Sequence, residues 1–158
     1  HIDVKNISKK LSAKLIEKKI KTINANFKIL FKKKPKIAVL GLNPHNAEFK
    51  TASEEKKIIL PSLKKLKKLN INLYGPFAAD SLFMNNFKKY DVIVGMYHDQ
   101  VITPFKTLYK FNAINVTLGL KYLRVSPDHG TASDLIGKKK ANPKSLIDCI
   151  NFINKYGK

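Results

Sequence analysis

Apolar residues recur at Ile7, Leu11, Leu15, Ile20, Ile23, Phe27 and Leu30, a spacing that predicts an amphipathic helix over residues 7 to 30. The run Lys32 to Lys36 closes it, because Pro35 biases the residue before it away from helical backbone. Residues 37 to 42 (IAVLGL), 71 to 77 (INLYGPF) and 91 to 96 (DVIVGM) are short apolar runs that predict buried strands. Between the first two, Ile58, Ile59, Leu63, Leu66 and Leu69 predict a helix over 53 to 69, with Ser53 as its N-cap. Residues 113 to 119 and 121 to 126 predict two strands around a Gly119 turn, and 145 to 156 predicts a closing helix.

Strands alternating with helices predict an α/β class: a mostly parallel sheet flanked by helices, with an antiparallel pair near residues 113 to 126. In such sheets ligands gather beyond the carboxyl ends of the strands. The polar motifs fall there: NPH (43 to 45) after one strand, YHDQ (97 to 100) after another, SPDHG (126 to 130) after a third.

Composition narrows this picture. The 158 residues suit one domain-sized core. Cys149, the single cysteine, sits in an apolar helical pattern and reads as a buried small hydrophobe, so disulfides and thiolate metal sites drop out. No apolar run approaches the roughly 18 to 20 residues that a bilayer span needs, and no secretory signal is visible, so the chain reads as cytoplasmic. It opens at His1 and not at methionine, and is read as part of a longer chain. The net charge is +20, yet every basic residue except Arg124 is lysine, and Asn and Ile are abundant too. That pattern reads as compositional drift and predicts non-specific polyanion attraction more than a specific nucleic-acid site.

Three of the four histidines, His45, His98 and His129, follow predicted strands. Each alone reads as a structural histidine; together at equivalent strand ends they suggest a shared site. Imidazoles suit zinc, manganese, cobalt or iron and leave positions open for substrate oxygens. Asp80 and Asp99 read either as helix N-caps or as carboxylates that orient imidazole rings. Arg124 is either a surface cation or a planar fork for carboxylate or phosphate. No GxGxxG, no GxxxxGKS and no Ser-His-Asp pattern occurs.

Taken together, GLNPH (41 to 45), GPFAADSLF (75 to 83), YDVIVGMYHDQ (90 to 100), INVTLGLKYLR (114 to 124) and SPDHGTASDLIG (126 to 137) resemble the 4-hydroxythreonine-4-phosphate dehydrogenase family, in that family's order. The resemblance covers the carboxyl-terminal half of the family's two-domain chain, with the amino-terminal part absent from residues 1 to 158. It implies a fold resembling the isocitrate and isopropylmalate dehydrogenases, and a homodimer with a metal site shared between subunits.

The resemblance further implies oxidation and decarboxylation of a small phosphorylated amino acid in pyridoxal phosphate synthesis, with NAD or NADP and a divalent metal such as zinc, magnesium or cobalt. It assigns the metal-binding histidines to His1, His45 and His98, and substrate contacts to Lys106, Asn115 and Arg124. Asp80 and Asp99 match acidic positions near the catalytic centre, and His129, Gly130 and Thr131 a loop beside the nicotinamide cofactor. The sequence departs from the family after NPH, where Asn46 and Ala47 replace residues that are typically small or glycine. Two other readings stay open: a related dehydrogenase acting on another phosphorylated hydroxy acid, and an inactive lysine-rich fragment that attracts polyanions. The resemblance implies no specific nucleic acid or membrane partner.

Overall fold

The computed structural model describes residues 2–157, which form two compact units, one ending at Pro104 and the other starting at Phe105. His1 lies outside the described residues.

The first unit is built on a parallel sheet of order β2-β1-β3, with β1 at Ile37–Leu40, β2 at Leu73–Phe77 and β3 at Val92–Val94. β1 is central and all of it is buried, because helices cover both faces of the sheet. Its alternation sorts the core. Ile37 and Val39 pack with Ile16, Ile20, Ile59, Leu63 and Leu66 on one face. Ala38 and Leu40 pack with Leu82 on the other. At the amino ends of the strands Asp91 locks the layers: it pairs with Lys33 at 2.6 Å and accepts the Lys36 N–H at 2.8 Å. The hydrogen bond from Lys33 is the main reason that its carboxyl titrates below the usual range.

The helix expected over 7 to 30 is two helices, α1 (Ile7–Lys10) and α2 (Ala13–Phe31). Leu11 and Ser12 are extended between them, and Ser12 caps α2 by accepting the Leu15 N–H at 3.3 Å. The helix expected over 53 to 69 starts where Ser53 caps it, accepting the Lys56 N–H at 3.3 Å. It opens with a wide π-helical stretch, Glu55–Ile59, before continuing as α3 (Leu60–Lys67). Pro61 follows that stretch and lacks the N–H that a regular helix would use there. Two helices were not expected from the pattern: α4 (Ala79–Asn85) after β2, and α5 (His98–Tyr109) after β3.

The second unit holds the antiparallel pair β4 (Ile114–Thr117) and β5 (Arg124–Pro127), in the register Ile114 to Pro127 and Thr117 to Arg124. The connection passes Gly119 at φ +87°, a conformation that favours glycine. α6 (Lys144–Tyr156) packs on this pair. Its buried Ser145 donates to the Ala113 carbonyl at 2.5 Å and accepts the Asp128 N–H at 3.1 Å, so one hydroxyl pins the helix start to both strands. Cys149 is buried as expected, and burial pushes its thiol pKa up. Among the described residues no helix is long and apolar enough to cross a membrane.

Candidate functional site

In the first unit the polar motifs meet at the carboxyl ends of β1, β2 and β3. Past β1 the chain enters a turn of unusual hand: His45, Asn46, Ala47, Glu48 and Phe49 all have φ between 47° and 55°. Left-handed backbone costs an L-residue roughly 1–2 kcal/mol, so the surroundings must enforce it. Just before the turn the backbone is held by Glu55, which is fully buried. Its Oε1 accepts the N–H of Leu42 at 2.8 Å and of Asn43 at 2.7 Å, and the Asn43 side-chain amide also donates to it. Burial raises its pKa, but these hydrogen bonds outweigh burial and leave it below the usual carboxylate range. Beside it, a hydrogen bond from the Ser8 hydroxyl, then one from Asn43, hold Glu54 low.

Past β3, Gln100 fastens the next loop to this one. Its Nε2 donates to the Gly41 carbonyl at 2.6 Å and its Oε1 accepts the Met96 N–H at 2.7 Å. His98 opens α5, and its Nδ1 lies 2.6 Å from Asp99 Oδ1. With Nδ1–H donated to the carboxylate, Nε2 is the ring nitrogen that carries no proton. Of the two readings of Asp99, the structure shows a carboxylate paired with the His98 ring. Asp80 lies exposed in the first turn of α4, at the carboxyl end of β2, and is not its N-cap, which is Ala78.

The second unit carries the expected substrate residues. Lys106 pairs with Asp128 at 2.7 Å and also donates to the Asp128 carbonyl. Arg124 donates through Nη1 to Thr117 Oγ1 at 2.9 Å, across the β4–β5 pair. Asn115 is exposed on β4, opposite Ser126. His129, Gly130 and Thr131 are exposed on the loop after β5, where His129 Nδ1 meets the Gly130 carbonyl at 2.9 Å.

Among the described residues no three histidine, cysteine or acidic groups cluster as a metal cage. His45 and His98 stand on two loops that Gln100 ties together, and the Asp99 contact sets the His98 tautomer. Two of the three expected metal ligands, His45 and His98, lie among the described residues; the third, His1, lies outside them. Sequence reading missed Glu55, Asn43, Gln100 and Asp128. Asn43, Gln100 and Asp128 left a trace only as members of NPH, YHDQ and SPDHG, with no role of their own. Glu55 looked like one more surface charge in EEKK.

A family model described as pyridoxal phosphate biosynthetic protein PdxA matches residues 1–153. A 4-hydroxythreonine-4-phosphate dehydrogenase from Sulfurihydrogenibium sp. (strain YO3AOP1) is 43% identical over 96% of this chain and 48% of its own length. One from Aquifex aeolicus (strain VF5) is 40% identical over 97% of this chain and again 48% of its own. The chain thus spans about half the length of these curated relatives. The solved 4-hydroxythreonine-4-phosphate dehydrogenase from Klebsiella pneumoniae superposes with a TM-score of 0.82 at 33% identity, over 96% of this chain and 46% of that one. A terephthalate 1,2-cis-dihydrodioldehydrogenase from Burkholderia xenovorans LB400 superposes with a TM-score of 0.77 at 26% identity, over 98% of this chain and 50% of that one. Strand order, motif order and family match agree, and the chain belongs to the PdxA family of pyridoxal phosphate biosynthetic proteins.

Proposed function

We propose that the intact protein containing this chain oxidises 4-phosphooxy-L-threonine and releases carbon dioxide to give 3-amino-2-oxopropyl phosphate, in pyridoxal phosphate synthesis. The reaction uses NAD and a divalent cation: zinc, magnesium or cobalt. The observation that carries this reading is the family match over residues 1–153.

When bound, a divalent cation would polarise the substrate oxygen and NAD would take the hydride from the alcohol carbon, the hydroxyl proton passing to water; the resulting β-keto acid would lose its carboxylate as carbon dioxide and take up a proton at the carbon left behind. The chain's own residues hold and orient. His45 and His98, with His1, are the cation's ligands, in a site shared between the subunits of a homodimer. Asp99 fixes the His98 ring, and Asp80 adds a carboxylate at the next strand end. Arg124 offers a planar fork to an anionic group, and its bond to Thr117 limits the guanidinium to few orientations. Lys106 supplies a second positive charge, aimed by Asp128, and Asn115 an amide. His129, Gly130 and Thr131 flank the nicotinamide cofactor.

The test is reduction of NAD, followed by absorbance, together with carbon dioxide release from 4-phosphooxy-L-threonine by the intact protein. A chelator should abolish both, and Arg124→Lys should raise KM at least tenfold, because an ammonium cannot copy the bidentate fork. A second reading, a dehydrogenase for another diol or hydroxy acid, draws on the likeness to the terephthalate dihydrodiol dehydrogenase. Turnover of a cis-dihydrodiol acid, with none of the phosphorylated amino acid, would establish it in place of the first.

A further inference from the structure

The residue that follows His45 behaves unlike its neighbours. His45, Glu48 and Phe49 of the left-handed turn are exposed, whereas Asn46 is 7% exposed and points inward. Its Nδ2 donates to the Pro76 carbonyl, near the end of β2, at 3.1 Å. The amide rests against Gly41. A Cβ on Gly41 would collide with Asn46 Oδ1 and meet Glu55 Oε1 at 3.1 Å, so the bare glycine is what makes room for both side chains. The segment from Gly41 to Asn46 is thus gripped from inside at two points. Glu55 holds the N–H groups of Leu42 and Asn43, and Pro76 holds the side chain of Asn46. His45 is left facing outward between these anchors.

The other half of the same amide is unsatisfied: Asn46 Oδ1 is buried without a hydrogen-bond partner. A buried acceptor without a donor lowers stability, so packing alone does not favour asparagine here. What asparagine does supply is tolerance of φ near +55°, better than any other side-chain-bearing residue, and a donor that reaches another loop. We propose that Asn46 is a positioning residue, whose tether to Pro76 fixes the His45 imidazole for a divalent cation. This rests on the reading of His45 and His98 as cation ligands. It adds that the site in this chain depends on a side-chain brace between the turn after β1 and the end of β2.

The test is a cobalt(II) titration of the intact protein followed by visible absorption, with zinc affinity from chelator competition, on wild type, His98→Ala, Asn46→Ala and Asn46→Gly. Glycine accepts φ +55° without strain, so Asn46→Gly keeps the turn and removes only the tether. Thermal unfolding checks each fold. The expected result is a 10- to 100-fold loss of cation affinity in Asn46→Gly, the range that supporting groups around metal ligands command. A changed cobalt spectrum should accompany it, with a fold that melts as cooperatively as wild type. A purely structural role would move the melting curve and leave affinity and spectrum alone. If wild type binds cobalt, His98→Ala abolishes binding and Asn46→Gly binds within twofold of wild type, the positioning role is overturned while the ligand reading stands. If wild type binds no cobalt, or His98→Ala changes nothing, the ligand reading falls and this proposal with it.

Discussion

Gln100 Nε2 lies 2.6 Å from the Gly41 carbonyl oxygen, so an amide at the start of α5 is joined to the backbone just past β1. The same amide also accepts the Met96 N–H. Replacing Gln100 with alanine strands a buried carbonyl and an N–H together, and should cost about 1–3 kcal/mol in urea denaturation. Gln100→Glu should be no better. It keeps the bond to Met96 but sets a carboxylate against the Gly41 oxygen.

Glu55 predicts an acid sensitivity of definite sign. Its folded pKa lies below its unfolded value, so its stabilisation is complete above the unfolded value, about 4.3. That stabilisation is lost as pH falls through the folded value. At neutral pH Glu55→Gln should lose about 1.5–3 kcal/mol, the usual worth of hydrogen bonds to a charged group. Urea midpoints measured from pH 7 to pH 3 should converge for wild type and variant at the acid end. Parallel curves would show that the carboxylate charge is not what matters.

In the proposed site Asp99 would orient the His98 ring, and it contributes little to the fold, because both partners of the His98–Asp99 pair are largely exposed. Asp99→Ala should leave stability within about 0.5 kcal/mol and lower zinc affinity 10- to 100-fold in chelator competition. An unchanged affinity would remove Asp99 from the site.

Ala47 sits at φ +47° with nothing in its side chain to favour that region. The strain of roughly 1–2 kcal/mol exceeds the entropy that glycine loses on ordering, about 0.5–1 kcal/mol. Ala47→Gly should therefore raise stability by roughly 0.5–1 kcal/mol, seen as a higher melting temperature.

Hydrophobic periodicity made the sheet legible. β1, β2, β3 and β4 lie within their expected ranges and β5 runs one residue past its own, to Pro127, because strands buried on one or both faces need apolar runs. The closing helix was equally legible from its stripe. The polar motifs were legible as strand ends but not as geometry. NPH and YHDQ mark strand ends, yet nothing in NAEF announces a reversed turn, since only Asn46 among these residues tolerates one well. α5 was hidden because Pro104 in its interior reads as a breaker; the helix absorbs one missing N–H. Glu55 was hidden because burial of a carboxylate is decided by the N–H groups brought to it, and these lie 12 and 13 residues away.

The left-handed turn has a consequence for chemistry at the level of chirality. From His45 to Phe49 the backbone follows the path natural to the mirror-image amino acids, so its building blocks and its curvature are of opposite hand. A protein assembled by chemical ligation with D-alanine at position 47 would place each atom of that residue where its own stereochemistry prefers it. In ordinary right-handed or extended backbone such an inversion is a defect. Here it would remove one, and the chain would hold its histidine with less opposition from the residues that carry it.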